Sequence, residues 1–138
     1  MKPVKQSVAV VVFAPHDRRS VLIVQRPPDD QELPNAWGLP AASLQPGESV
    51  QAAVRRTGTD KLGVSLRPLR ELQLGAMERT PYRLEMRLIE AEIEQGSVAV
   101  PQPIAGVTQY QGWKWGTAEE LRPAAALGSL CCRLFLAE

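Results

Sequence analysis

Two apolar runs open the chain, SVAVVVFA at 7–14 and SVLIVQR at 20–26, with the polar stretch PHDRRS between them. Each run is short, rich in β-branched residues and bounded by turn formers, so the pattern predicts two central strands joined by a turn. The first run follows lysines and has the look of a signal segment. The return of VLIV directly after the turn favours a strand pair instead. Residues 27–40, PPDDQELPNAWGLP, read as a loop whose one large anchor is Trp37. Val50, Ala53 and Val54 then recur at i, i+3 and i+4, which predicts a helix from Ser49, its N-cap, toward Leu62. Gly63 closes it.

Farther along, Arg83–Glu94 alternates with a slip. Leu84, Met86 and Leu88 share one phase, and Ile89, Ala91 and Ile93 take the other, so a long strand with a bulge near Leu88 is expected. WKW at 113–115 is a further short strand, with one of Trp113 and Trp115 expected in the core and the other toward a pocket. TAEEL opens a helix with Thr117 and Glu120 in capping-box positions. Strands, a helix, strands and a helix predict a mixed α/β domain with helices packed on sheet.

The totals narrow this picture without redirecting it. A chain of 138 residues is one domain, 1–138, with room for a substantial core. Its 44% hydrophobic and 22% charged residues fit a globular protein, and a net charge of +1 gives no pull toward nucleic acid or acidic membrane. The 12 prolines mark loops and sheet edges, and no apolar run reaches membrane-spanning length. Cys131 and Cys132 are adjacent, a spacing that suits neither a zinc site nor an unstrained bridge. Buried thiols on a C-terminal helix, in a reducing cytoplasm, are the expectation. His16, alone in a turn, is expected to be exposed and idle.

The chemistry is concentrated in WGLPAASLQPGESVQAAVRRTGTDKLGV, residues 37–64. This stretch resembles the signature of the Nudix superfamily, G-x5-E-x7-R-E-U-x-E-E-x-G-U, where U is a bulky aliphatic. Ala42, Glu48, Arg56, Thr57, Gly58, Asp60, Lys61, Gly63 and Val64 fall on its positions without a gap. WGLP, the PGES turn and the later W…EEL segment add to the likeness. The resemblance implies an α/β/α sandwich with a mixed β-sheet. It further implies Mg²⁺ bound on a loop–helix–loop and hydrolysis of a diphosphate linked to another group, often a nucleoside. Magnesium needs hard oxygen ligands, which a cluster of glutamates on one helix face supplies.

Here that cluster is depleted. The signature's three helix glutamates fall on Thr57, Asp60 and Lys61, which share a face at i, i+3 and i+4 of a regular helix but include one carboxylate. Lys61 brings a positive charge where a divalent cation would lie. Gly58 replaces the aliphatic residue, at a cost of about 1 kcal/mol in a helix interior. A register shifted to Arg55 pairs Thr59 with Asp60 and still leaves one carboxylate. Residues 96–112, from which relatives draw a further acid, contain no Asp or Glu.

Glu48, Asp60 and Arg56 are therefore the candidate catalytic residues, with Glu48 and Asp60 as the candidate metal ligands. The alternative for both acids is ordinary ion pairing, for instance Asp60 with Arg56. Arg26, Trp37, Lys61, Gln109 and Gln111 are the candidate ligand contacts. The Lys61 amine is expected within ion-pair distance of Glu48 or Asp60. Two functions follow from the resemblance and its departures. One is a domain that binds a nucleoside-diphosphate-type ligand with little or no hydrolysis and no cofactor. The other is an active Mg²⁺-dependent hydrolase recruiting acids outside the signature. A purely structural dimerising module is a more distant third. The partner in the first two is a small nucleotide-like molecule, not nucleic acid or membrane, and a homodimer remains open.

Overall fold

The computed structural model describes residues 2–100 and 110–137. Among the described residues, eight strands form two sheets, accompanied by three short α-helices. β1 (Val4–Val11) lies between β5 (Ala41–Ser43) and β7 (Arg83–Gln95), and β6 (Ser65–Glu78) forms the outer edge beyond β7. β1 runs parallel to β7 and antiparallel to β5, and β6 runs antiparallel to β7, so this sheet is mixed. The second sheet pairs β3 (Asp17–Gln25) with β2 (Phe13–Ala14), β4 (Trp37–Gly38) and β8 (Gly112–Gly116), all antiparallel.

Period-two alternation of β1 and β3 sorts the core into two halves. Ala9, Val11, Val21 and Ile23 enter one, covered by α2 (Arg122–Ala126) and α3 (Leu130–Leu136). Val8, Val10, Leu22 and Val24 enter the other, covered by α1 (Val50–Thr57). Strands buried on both faces must be apolar at nearly every position, and that is why these two runs are continuous rather than alternating. The architecture is the expected α/β/α sandwich with a mixed sheet.

Several local expectations need correction. β7 carries no bulge at Leu88, because its pairing with β1 runs unbroken from Val4↔Arg83 to Val11↔Glu90. Leu84, Met86 and Leu88 face the α3 half, while Ile89, Ala91 and Ile93 face the α1 half. The apparent slip marks where the strand passes from under one helix layer to under the other. The irregularities lie mostly in β6, where register shifts fall between Pro68 and Arg70 and between Glu71 and Gln73. Trp113 and Trp115 do not divide between core and pocket. Residues two apart in a strand share a face, and their rings meet edge to face at 6.0 Å. The turn after Ala14 is shorter than PHDRRS suggests, since Asp17–Ser20 already belong to β3.

The TAEEL segment does open with the Glu120 carboxylate accepting the Thr117 N–H at 3.1 Å, but it forms a single 3₁₀ turn, Ala118–Leu121, before α2. Cys131 and Cys132 are buried on α3 as free thiols. His16 is exposed.

Candidate active site

α1 starts where the sequence places it. The Ser49 hydroxyl accepts the Ala52 N–H at 3.1 Å, and Ala53 and Val54 are fully buried against the sheet. The helix does not continue in α form to Leu62. From Gly58 to Leu62 it widens into a π turn, closed by Gly63 at φ 67°, whose N–H donates to the Gly58 carbonyl. Gly58 has a packing reason beyond helix propensity: a Cβ there would stand 2.7 Å from Leu66 Cγ and 2.9 Å from the Val64 carbonyl oxygen. The strand following the helix crosses too closely for any side chain.

The widened turn redistributes the signature positions. A π turn holds more residues than an α turn, so residues five apart approach each other. Arg56 and Lys61 both line a cleft of about 840 Å³, whereas Thr57 and Asp60 do not. Thr57 is fully buried, and its hydroxyl donates to the Ala53 carbonyl at 2.7 Å. Asp60 is partly exposed and accepts from the Thr59 hydroxyl at 3.4 Å. The three positions expected on one face are therefore split among core, rim and cleft.

Glu48 is occupied by Arg56. The guanidinium donates Nε and Nη2 to the two carboxylate oxygens at 2.8 Å each, and Nη2 also reaches the Ser43 carbonyl at 2.7 Å. The Gln45 N–H adds a third donor to Glu48 at 3.0 Å. Those bonds, Arg56 first, hold the Glu48 carboxyl far below the usual range, at about 2. The ion pair expected of Asp60 with Arg56 is thus formed by Glu48 instead.

Lys61 also departs from expectation. Among the described residues its amine meets neither Glu48 nor Asp60, and it donates to the Ala41 carbonyl at 2.5 Å, with the Tyr110 ring centre 5.4 Å away. Burial, with Arg26, Arg56 and Lys5 nearby, lowers its pKa to about 8, against a weaker opposing pull from Asp60. Tyr110 is itself buried and accepts the Ala41 N–H on its hydroxyl at 3.2 Å. Arg26 enters the same cleft from the end of β3, paired with Asp30 at 3.1 Å. Lys5, Arg79 and the acids Asp29 and Glu32 complete the charged lining.

The remaining candidates lie elsewhere. Trp37 is half-buried in β4 beneath the Lys114 ammonium, 4.5 Å from its ring centre, and is not part of the cleft wall. Gln111 braces a loop, donating to the Arg26 carbonyl at 2.7 Å and to Asn35 Oδ1 at 2.6 Å. Gln109 lies outside the described residues. Sequence reasoning passed over Lys5, Asp30 and Tyr110. Of these, only Asp30 left a local signal, four residues after Arg26.

The donor set does not fit magnesium. Among the described residues, no group of three or more His, Cys, Asp and Glu side chains is placed to hold a metal ion. One signature acid is bound to arginine, and an amine occupies the cleft-facing position. Such a lining suits an anion better than a hard cation.

A mixed sheet between helix layers, with a loop–helix–loop bordering a charged cleft, defines the class of this protein. The model of the NUDIX domain family matches residues 3–129, and the chain belongs to that family. No curated protein matches it significantly. Among solved structures, the MutT protein of Methanosarcina mazei Go1 superposes with a TM-score of 0.73 at 17% identity, over 99% of this chain and 93% of that one. A NUDIX hydrolase from Nitrosomonas europaea gives 0.70 at 20% identity, over 99% and 90%. An ADP-ribose pyrophosphatase from Streptococcus suis 89-1591 gives 0.60 at 16%, over 83% and 75%. No helix among the described residues is long and apolar enough to cross a membrane.

Proposed function

We propose that this NUDIX domain binds a nucleoside-diphosphate-type ligand through fixed cations, and that it hydrolyses diphosphate bonds weakly or not at all. The observation that carries the reading is Lys61. Its amine stands in the cleft, at a position where the family signature has a glutamate, and has no carboxylate partner among the described residues. With Arg26, Arg56 and Lys5 it forms a cationic wall. Arg56 and Arg26 are neutralised by Glu48 and Asp30, so Lys61, Lys5 and Arg79, whose guanidinium donates to the Gly128 carbonyl, carry the charge left over for a ligand. A tethered ammonium does for a phosphate oxygen part of what a divalent ion does, neutralising its charge at a fixed point. It does not generate a hydroxide nucleophile.

A second reading, hydrolysis by acids outside the signature, is favoured by Asp29 and Glu32, which line the same cleft. Calorimetry with ADP, UDP and ADP-ribose separates the two, run with chelator and then with excess Mg²⁺. ADP-ribose is included because the Streptococcus suis relative is named for it. Binding of equal strength under both conditions, with no product by chromatography, is expected. Binding that requires Mg²⁺ and releases nucleoside monophosphate overturns the proposal in favour of the second reading.

A further inference from the structure

We propose that Lys61 is a reversible covalent site, whose amine condenses with a phosphate-bearing aldehyde to form an imine in the cleft. The inference rests on the anion-binding reading and goes beyond it to a bond. The chain has four lysines, Lys2, Lys5, Lys61 and Lys114, and their settings differ. Lys2 is paired with Glu78 and Lys114 with Glu120, each at 3.1 Å. Each of these amines is already held at the surface by a carboxylate. Lys5 is exposed and lies over the Tyr82 ring at 5.3 Å. Lys61 alone combines partial burial, a cavity in front of it and a backbone carbonyl as its bonded partner.

That partner matters. The Ala41 carbonyl accepts one N–H, so a neutral amine keeps the bond and still has its lone pair free for the cleft. The groups facing Lys61 from the neighbouring elements favour the neutral form. Arg26 from the end of β3, Arg56 from α1 and Lys5 from β1 all repel a proton, Asp60 alone attracts one, and Tyr110 presents its ring. Desolvation beside other cations is a recognised way to make a lysine nucleophilic near neutral pH.

The chemistry balances without a further reactant. The Lys61 nitrogen attacks the aldehyde carbon, and a proton passes from nitrogen to oxygen to give a carbinolamine. The hydroxyl then leaves with the remaining N–H proton as water, the nitrogen lone pair forms the C=N bond, and addition of water reverses it. Lys5 and Arg79 in the same cleft offer the charge that holds the phosphate.

The test uses the full chain with pyridoxal 5′-phosphate as probe, reduction with borohydride, and peptide mapping by mass spectrometry. At near-neutral pH, Lys61 should be modified about tenfold or more faster than Lys2 or Lys114, because it faces a cavity that holds the probe's phosphate and its own pKa is lowered to about 8. Pyrophosphate should slow this modification, and pyridoxal lacking the phosphate should label Lys61 more slowly. Lys61→Arg should abolish the fast reaction, while Lys114→Arg should leave it intact. The mapping on the unaltered chain decides the matter even where a variant folds poorly. Modification spread over Lys2, Lys5 and Lys114 with Lys61 spared overturns the proposal. Equal labelling by pyridoxal and its phosphate overturns the assigned ligand class. Diphosphate binding by calorimetry without Lys61 labelling defeats this inference alone. Labelling of Lys61 that diphosphates neither bind beside nor slow defeats the anion-cleft reading instead.

Discussion

The two ends of the signature helix are built on opposite terms. At its start and along α1, polar groups are matched: Ser49 caps Ala52, and Arg56 closes on both oxygens of Glu48. In the π turn that follows, Lys61 has a carbonyl and an aromatic face in place of a counter-ion. The matched end fixes the loop before the helix and leaves nothing for a ligand. The unmatched end is the one the proposed anion would complete. Stability and binding are thus separated by about one turn of chain.

The largest expected effect comes from restoring the family's acids. Thr57→Glu together with Lys61→Glu puts a carboxylate into a fully buried site at position 57. The double variant should lose about 3 kcal/mol or more, the scale of an unpaired buried charge, and added Mg²⁺ should not recover its melting temperature. Recovery by Mg²⁺ would mean that the π turn can re-form as an α-helix with its acids converging, and the contrast between the two ends would collapse.

Next in size is the matched pair. Arg56→Ala should destabilise the fold by about 2–3 kcal/mol in denaturant melts, since it removes charge-assisted bonds to a Glu48 side chain only 11% exposed. The same pair sets an acid limb. Glu48 has a folded pKa of about 2 against an ordinary 4.5, so between these values the unfolded chain binds more protons. Its contribution is complete above about 4.5 and is lost as pH falls toward 2. Glu48→Gln should flatten that limb.

Gly58→Ala tests the crossing strand. Helix propensity alone predicts a gain of about 1 kcal/mol, whereas a methyl group driven against Leu66 and the Val64 carbonyl should cost about 1–2 kcal/mol. A more stable variant in thermal melts would show that β6 yields.

The last effect is a slope. The Lys61 pKa is lowered to about 8 from 10.5, so in that interval the unfolded state binds more protons and stability rises with pH. Lys61→Met should remove the rise while leaving the melting curve near pH 6 cooperative.

How much of this was readable in advance depended on whether a signal was local. The Ser49 cap and the Thr117–Glu120 pair are short-range patterns found where expected, and both apolar runs form strands, but the first run breaks after Val11, so that β1 joins one sheet and only β2 pairs with β3 in the other. β6 was passed over because an edge strand with register shifts on either side of Arg70 and Glu71 has no sustained alternation to read. Leu69 and Leu74, both exposed, break the pattern further. The π turn was hidden for a different reason. It depends on how closely Leu66, eight residues later in the chain, crosses Gly58, a tertiary fact with no periodic trace. The signature aligned well in sequence, yet its i, i+3, i+4 logic presumes a regular helix, so the fate of Thr57, Asp60 and Lys61 could not be read from spacing.

Ala41 has the plainest side chain in the neighbourhood and the most consequential backbone. Its N–H is given to Tyr110, its carbonyl is held by Lys61, and it pairs with Ala9 across β5 and β1. One peptide therefore reports on both cleft walls and on the central sheet at once. If Lys61 turned toward the proposed anion, the carbonyl would lose its partner while the N–H kept its own. The amide hydrogen of Ala41 and the carbonyl stretch of the same residue would then become a built-in pair of reporters, one quiet and one responsive. Occupancy of the cleft could be followed there by exchange and infrared methods, with no dye, tag or chromophore added to the molecule.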